Sequence, residues 1–426
     1  MSFRVSKNAI LQYILVYIMI LIPGSCLFQV YWGNEKYFVI LGLYILLLVA
    51  QRKYRVSYGA FFTLILAFLF LGVRLLVGGI GLQVWAQFAV CVLSAQAAIS
   101  CNPDAFLTRF IKVIVFFSSI SIVMWALFMV APELANIWPA QRYFVQSIGI
   151  DQWARDYYGK GLLFYSYLDI HTNRNCGIYT EPGVYQVVLN SALFVLLYWK
   201  RRLKLKSERQ YLRYVVIILT ALVTCASTTG YIGTIIILFI YFVFFRESDF
   251  STGRIKRFIA IVVFIGILIL GIDYSVRGED SLVYIQVIQK LFPSGELDVS
   301  EGSGQYRMGM ILYALSLIGE NPLGVGYDVF NSGLQQGFVA ASLVSFAAVF
   351  GVISWIVVML LVFYPMIKYA RPTICVMFLC IFVNTTLAQT DLLYPTQIMI
   401  PLYLVTTHGQ MTRGGSKYED ENISVI

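Results

Sequence analysis

Charged residues able to do chemistry are few in this chain, and the informative ones fall in two polar stretches. The first stretch ends in His171-Thr172-Asn173-Arg174-Asn175-Cys176-Gly177-Ile178-Tyr179-Thr180-Glu181-Pro182-Gly183. Thr180-Glu181-Pro182 reads as a helix start: a capping hydroxyl, an acid in the first turn and a proline where no amide hydrogen is needed. Arg174 lies seven residues before Glu181, near enough to share one pocket with it. The second stretch contains Gln305-Tyr306-Arg307 and Glu320-Asn321-Pro322-Leu323-Gly324-Val325-Gly326-Tyr327. Residues 306–319 predict an apolar helix too short to span a bilayer comfortably, lying on the membrane or re-entering it. Arg307 falls in its first turn, where the helix dipole disfavours a cation, so a positive charge there points to an anion bound nearby. Arginines beside a carboxylate, in segments rich in Tyr, Trp and Gly, suit binding of sugars and phosphate. Each residue also has a purely structural reading. Glu181 would then only complement the helix dipole and pair with Arg174, and Arg307 would snorkel to the interface.

Two further features face the same surface. Arg74, in Leu71-Gly72-Val73-Arg74-Leu75-Leu76, sits near the end of an apolar run, where an ionisable residue marks a functional site or snorkels. Ser227-Thr228-Thr229-Gly230 joins two apolar runs and aims a helix N-terminus outward, as an anion site or as a plain capped turn. Arg277 opens the second polar stretch. Absences narrow the chemistry. His171 and His408 are the only histidines, and there is no His-Glu-x-x-His, no Gly-x-x-x-x-Gly-Lys-[Ser/Thr], no Gly-x-Ser-x-Gly and no Asp-x-Asp. What remains is chemistry with arginines and one carboxylate, with no metal and no cofactor expected. Six of the seven cysteines fall in or beside apolar runs and Cys176 stands alone, which is no disulfide framework.

The elements that must position these groups are membrane helices. Of 426 residues, 59% are hydrophobic and only 12% charged, and mean hydropathy is +0.77. Soluble domains carry about 25% charged residues, so a soluble fold is excluded and a polytopic, all-α membrane protein is expected. About twelve runs reach the length a spanning helix needs: 8–30, 37–50, 57–78, 82–101, 110–131, 183–199, 211–226, 229–246, 257–273, 337–364, 373–389 and 393–407. The second, sixth and twelfth are short, and the tenth is long enough to tilt or break. Placing the first residue inside puts 22 of the 31 basic residues and only seven of the 22 acids on the inner side. The net charge of +9 is thus a topology signal and not a nucleic-acid footprint. No cleavable signal peptide is expected, since no Ala-x-Ala-like site follows the first run. Residues 1–426 read as one integral membrane unit with two long outer segments, 132–182 and 274–336, and long loops are usually functional.

Arg174-x-x-Gly-Ile-Tyr-x-Glu-Pro-Gly183 before a span, Ser227-Thr-Thr-Gly230 between spans, and Arg307 ahead of Asn321-Pro322-Leu-Gly-Val-Gly-Tyr327 occur in that order. This arrangement resembles the bacterial O-antigen and capsule polymerases of the Wzy type, in the superfamily that includes the O-antigen ligases. The likeness covers the hydropathy profile throughout and the motifs over about 170–330. It implies a GT-C-like glycosyltransferase of the bacterial inner membrane, with cytoplasmic termini and a periplasmic site. Its substrates would be undecaprenyl-pyrophosphate-linked oligosaccharides, the growing chain passing from its carrier onto a new lipid-linked unit. A chain-length-regulating co-polymerase is the implied partner. On this resemblance Arg174 and Arg307 stabilise the departing pyrophosphate and Glu181 takes the acceptor's proton, with His171 as the alternative base. Tyr179, Tyr185 and the loop tryptophans would stack on sugars, and Arg74, Arg277, Gln305 and Thr229 would complete substrate binding. The ligase branch commonly has a histidine in its second large loop, and residues 274–336 contain none. A lipid-linked oligosaccharide flippase is the competing class. It would place charges along a midplane cavity, whereas here the span centres are almost charge-free.

Overall fold

Large apolar side chains cover the outside of this bundle as well as its inside: Phe68 is 70% exposed, Leu75 78% and Ile353 61%. An apolar exterior on this scale suits a lipid solvent, in which backbone polar groups must be paired within helices. The computed structural model describes residues 7–30, 35–50, 57–78, 80–138, 141–148, 153–160, 164–168, 171–244, 250–281, 284, 302–333 and 341–411. Its helices are α1 (Lys7–Leu21), α2 (Cys26–Val30), α3 (Glu35–Ala50), α4 (Tyr58–Val77), α5 (Leu82–Cys101), α6 (Pro103–Val130), α7 (Pro182–Tyr198) and α8 (Glu208–Cys225). After them come α9 (Thr228–Val243), α10 (Phe250–Arg277), α11 (Gly302–Glu320), α12 (Gly326–Ser332), α13 (Ser342–Phe350), α14 (Val352–Tyr369), α15 (Pro372–Ala388) and α16 (Pro395–Met411). Among the described residues, five helices are long and apolar enough to cross a membrane: Tyr58–Val77, Leu82–Cys101, Pro103–Val130, Lys256–Asp280 and Val352–Tyr369. Lys7–Leu21, Pro182–Tyr198, Thr228–Val243 and Pro372–Ala388 are shorter apolar helices.

α7 is the axis of the bundle. Almost every one of its side chains is buried, as expected of a helix that is apolar all round. It packs against α6, α8, α9, α15 and α16. Lipid tails are as apolar as leucine, so close packing and interhelical hydrogen bonds hold such helices together. Both are present here. Asn190 Nδ2 donates to the Gly230 carbonyl at 3.2 Å, and Thr234 Oγ1 donates to Asn190 Oδ1 at 3.0 Å. Asn384 Nδ2 donates to the Thr229 carbonyl at 3.1 Å. Gly230 permits the approach of α9, since a Cβ there would lie 2.8 Å from Gln186 Cβ.

Two of the runs predicted to span are broken, and each break receives one of the polar segments. The first run splits between α1 and α2 at Pro23-Gly24, where Gly24 has φ +135°. Residues 178–180 pair with this break: Cys26 N–H donates to the Ile178 carbonyl and Thr180 N–H to the Gly24 carbonyl, each at 3.0 Å. The tenth run, predicted as 337–364, splits between α13 and α14 at Gly351, φ +85°. Residues 322–325 dock there, with Val325 N–H on the Ala348 carbonyl at 2.9 Å and Val352 N–H on the Pro322 carbonyl at 2.8 Å. Gly324, φ +98°, lies so close that a Cβ would sit 2.6 Å from the Gly351 nitrogen and the Val349 oxygen. Irregular backbone at such positions is tolerated where protein pairs it.

The all-α expectation holds for the bundle, but the first long segment adds a small antiparallel sheet. Strands β1 (Gln141–Ile148), β2 (Trp153–Lys160) and β3 (Tyr167–Leu168) run in that order, with Ile148 opposite Trp153 and an irregularity between Arg142 and Phe144. The helix predicted over 306–319 is longer, Gly302–Glu320. All seven cysteines are free.

Candidate active site

The loop carrying Arg174 is fixed by its neighbour, Asn175, which is fully buried. Asn175 Nδ2 donates to Ser121 Oγ on α6 and to Thr224 Oγ1 on α8, at 3.2 and 3.0 Å. Its Oδ1 accepts from Gly177 N–H at 2.9 Å, and its own N–H donates to the Thr224 carbonyl at 2.9 Å. The last of these pairs the Thr224 carbonyl at the C-terminus of α8, which would otherwise be orphaned. Arg174 is half-buried and its Nε donates to the Cys225 carbonyl at 3.4 Å, so the guanidinium is held over that helix end.

Glu181 is the N-cap residue of α7, with extended φ −138° and ψ 139°, but its side chain makes no capping bond. Thr180, expected to cap, instead donates its hydroxyl to the Gly24 carbonyl at 3.1 Å. Among the described residues Glu181 has no ion pair with either arginine, although the charges of Arg174 and Arg307 both act on it. Of the structural reading, the pairing of Glu181 with Arg174 is absent among the described residues, while its place at the N-terminus of α7 still suits the helix dipole. Glu181 is exposed at this helix end. Burial pushes its pKa up, and the two arginines oppose that shift. Arg307, half-buried near the start of α11, lies near enough for its charge and that of Glu181 to act on each other. The first polar segment, with Arg174 and Glu181, and the second, with Arg307, are thus coupled through their charges.

A fourth charged group joins them that sequence reasoning missed. Asp391 lies in the short link between α15 and α16. Gln87 Nε2 on α5 donates to its Oδ1 at 3.1 Å. It lines a cavity of about 40 Å³ together with Gln87, Tyr327, Ser342, Ser345 and Thr390. Burial first, and then the negative charge of Glu181, push its pKa up to about 6, against the Gln87 hydrogen bond. The available signal was an acid in an otherwise apolar stretch of sequence between two spans. Gly183 brings this link onto α7: a Cβ there would lie 2.6 Å from Gln389 Nε2.

Other expected site residues lie elsewhere. Tyr179 and Tyr185 are 1% and 3% exposed, with ring centroids 5.7 Å apart. Tyr185 OH bonds to Ser118 Oγ at 3.1 Å and to Ser121 Oγ at 2.9 Å, so both rings serve the core and present no face to a sugar. Thr229 is buried in the first turn of α9, where Ser227 Oγ caps Gly230 N–H at 3.3 Å, the plain-turn alternative. Arg74 is exposed in the last turn of α4, a position the helix dipole favours. Arg277 ends α10 and pairs with Asp273 at 3.4 Å, one turn back, instead of with the Glu181 group. His171 is half-buried and its carbonyl accepts from Arg174 N–H at 2.9 Å, shaping the turn that carries the arginine. The side chain of Gln305 lies outside the described residues. Among the described residues no group of three or more His, Cys, Asp or Glu is placed to hold a metal. No protein-family model matches the chain, and no curated protein matches it.

Proposed function

We propose that this protein is a polysaccharide polymerase that moves a growing glycan from undecaprenyl pyrophosphate onto a new lipid-linked repeat unit. On this reading about twelve spans form a GT-C-like unit in the bacterial inner membrane, with cytoplasmic termini and the Glu181 end facing the periplasm. The observation that supports it is that the charges of Arg174 and Arg307 both act on Glu181, a carboxylate at one end of the bundle that makes no capping bond and, among the described residues, no ion pair. The acceptor sugar hydroxyl attacks the anomeric carbon while the bond to pyrophosphate breaks. Arginines fixed beforehand stabilise the charge that develops on the departing phosphate, because they need no reorganisation as it forms. A carboxylate of the site takes the hydroxyl proton. A co-polymerase setting chain length would be an additional partner.

The test is the glycan banding pattern of a deletion strain complemented with wild type, Arg174→Ala, Glu181→Ala or Arg307→Ala, with protein levels matched. Wild type should restore a long-chain ladder, and each variant should leave a single repeat unit on the acceptor. A deletion strain that lacks even the single unit would identify a ligase or a flippase instead.

A further inference from the structure

The site holds two carboxylates in different surroundings, and the proposed reaction needs one base. Glu181 lies in the field of two guanidiniums, which stabilise its charged form and oppose the rise in pKa that burial causes. Those same guanidiniums are the groups assigned to the leaving pyrophosphate. Asp391 has no such neighbour. Among the described residues the ionisable groups near enough to feel its charge are Glu181 on α7, Tyr37 on α3, Cys91 on α5, Tyr327 on α12 and Tyr394, none of them cationic. One oxygen, Oδ1, is anchored by Gln87 Nε2 at 3.1 Å, while Oδ2 has no hydrogen-bond partner among the described residues. The carboxylate lies in the wall of a cavity of about 40 Å³ lined also by Gln87, Tyr327, Ser342, Ser345 and Thr390 and by apolar residues, Phe88, Phe330 and Phe346 among them. That volume admits a hydroxyl or hydroxymethyl arm but not a sugar ring, since a water needs at least about 10–15 Å³ of such space.

We propose that Asp391 is the catalytic base that receives the proton of the attacking acceptor hydroxyl, and that Glu181 is a positioning residue for Arg174 and Arg307. This rests on the polymerase reading and assigns a residue within it. The acceptor oxygen forms the new bond to the anomeric carbon, and the bond from that carbon to the phosphate oxygen breaks with its electron pair leaving on the pyrophosphate. The hydroxyl proton passes to Asp391 Oδ2 and from there to water. Gln87 fixes the orientation of the Asp391 carboxylate, and the cavity beside it, part polar and part apolar, holds the acceptor sugar's hydroxymethyl arm against it.

The experiment uses the purified full chain in lipid nanodiscs, with lipid-linked repeat unit extracted from the deletion strain as both donor and acceptor. Turnover is measured against pH for wild type, Asp391→Asn, Asp391→Glu and Glu181→Gln, and each protein's thermal unfolding is recorded. Asp391→Asn should lower kcat by roughly 10²-fold or more and abolish the fall in rate on the acid side. Asp391→Glu should recover part of the rate, and Glu181→Gln should keep the acid limb while raising KM. An Asp391→Asn protein that unfolds like wild type, with its kcat and acid limb intact, overturns the assignment and leaves the polymerase reading standing. Loss of the limb in Glu181→Gln alone would return the role of base to Glu181. Wild type that transfers no glycan would sink the polymerase reading and this assignment together.

Discussion

Gly183 holds the link carrying Asp391 against the helix that begins at Glu181, with only the end of the Gln389 side chain between them. Alanine there would push a flexible amide and not backbone, so Gly183→Ala should cost little stability, within about 1 kcal/mol, while displacing the link. The measurement is the thermal midpoint beside the transfer rate, and a rate equal to wild type would mean that the Gln389 contact does not position the site. Arginine geometry makes a second prediction. Arg174→Lys and Arg307→Lys keep the charge but lose the planar fork, so each should lose most of the activity, as Ala variants do. Asp391 adds a pH dependence. Its folded pKa, about 6, lies above the ordinary aspartate value, so the fold disfavours the charged form. Stability is therefore highest below the unfolded pKa of about 4 and declines as pH rises through about 6. Asp391→Asn should melt a few degrees above wild type at neutral pH, and this difference should vanish in acid. A constant difference at all pH values would refute the charge argument. Of these groups, Arg174, Glu181 and Arg307 were legible because each sits in a polar stretch with its own turn signals. Asp391 was not, because one acid between two apolar runs has no motif around it. Tyr179 and Tyr185 were misread because residue type does not say which face of a loop a ring will take.

The docked segments explain why glycines recur in the second motif. Gly324 and Gly351 both have positive φ, and a Cβ on Gly324 would meet the backbone of Gly351 while one on Gly351 would meet that of Leu323. Alanine at either position meets backbone atoms that cannot move aside, so Gly324→Ala or Gly351→Ala should destabilise by about 1–3 kcal/mol. A midpoint unchanged in detergent would contradict the close approach. Asn190→Leu should cost less, about 0.6–1.7 kcal/mol, because interhelical hydrogen bonds in membranes are weak individually. The length of run 337–364 already predicted a tilt or a break, and Gly351 supplies the break. The split at Pro23-Gly24 was hidden because its neighbours are apolar enough to read as one continuous span. Likewise the strands of the first long segment carry no hydropathy signal strong enough to separate them from loop.

The ends of the bundle differ in kind. Opposite the Glu181 end, Arg202 stands over the rings of Trp199 and Tyr403, and Lys200 stands over Tyr211. If this end is cytoplasmic, cysteines placed at Lys204 and at Trp138 should react with an impermeant thiol reagent from opposite sides of the membrane. Labelling of both from one side would overturn the orientation. Native Cys176 should stay unlabelled, since it is fully enclosed and burial pushes its thiol pKa well up. Synthesis from the N-terminus meets the two docked segments differently. The break at Pro23-Gly24 is made long before residues 178–180 arrive to pair with it. Residues 322–325, in contrast, are made ahead of Ala348 and Val352, so their backbone must be sheltered until α13 and α14 are inserted. Asp391 follows later still. The arginine side of the site is therefore laid down first, and the carboxylate on the acceptor side appears only with the final helical hairpin, so a nascent chain carries no complete site until its last helices enter the membrane.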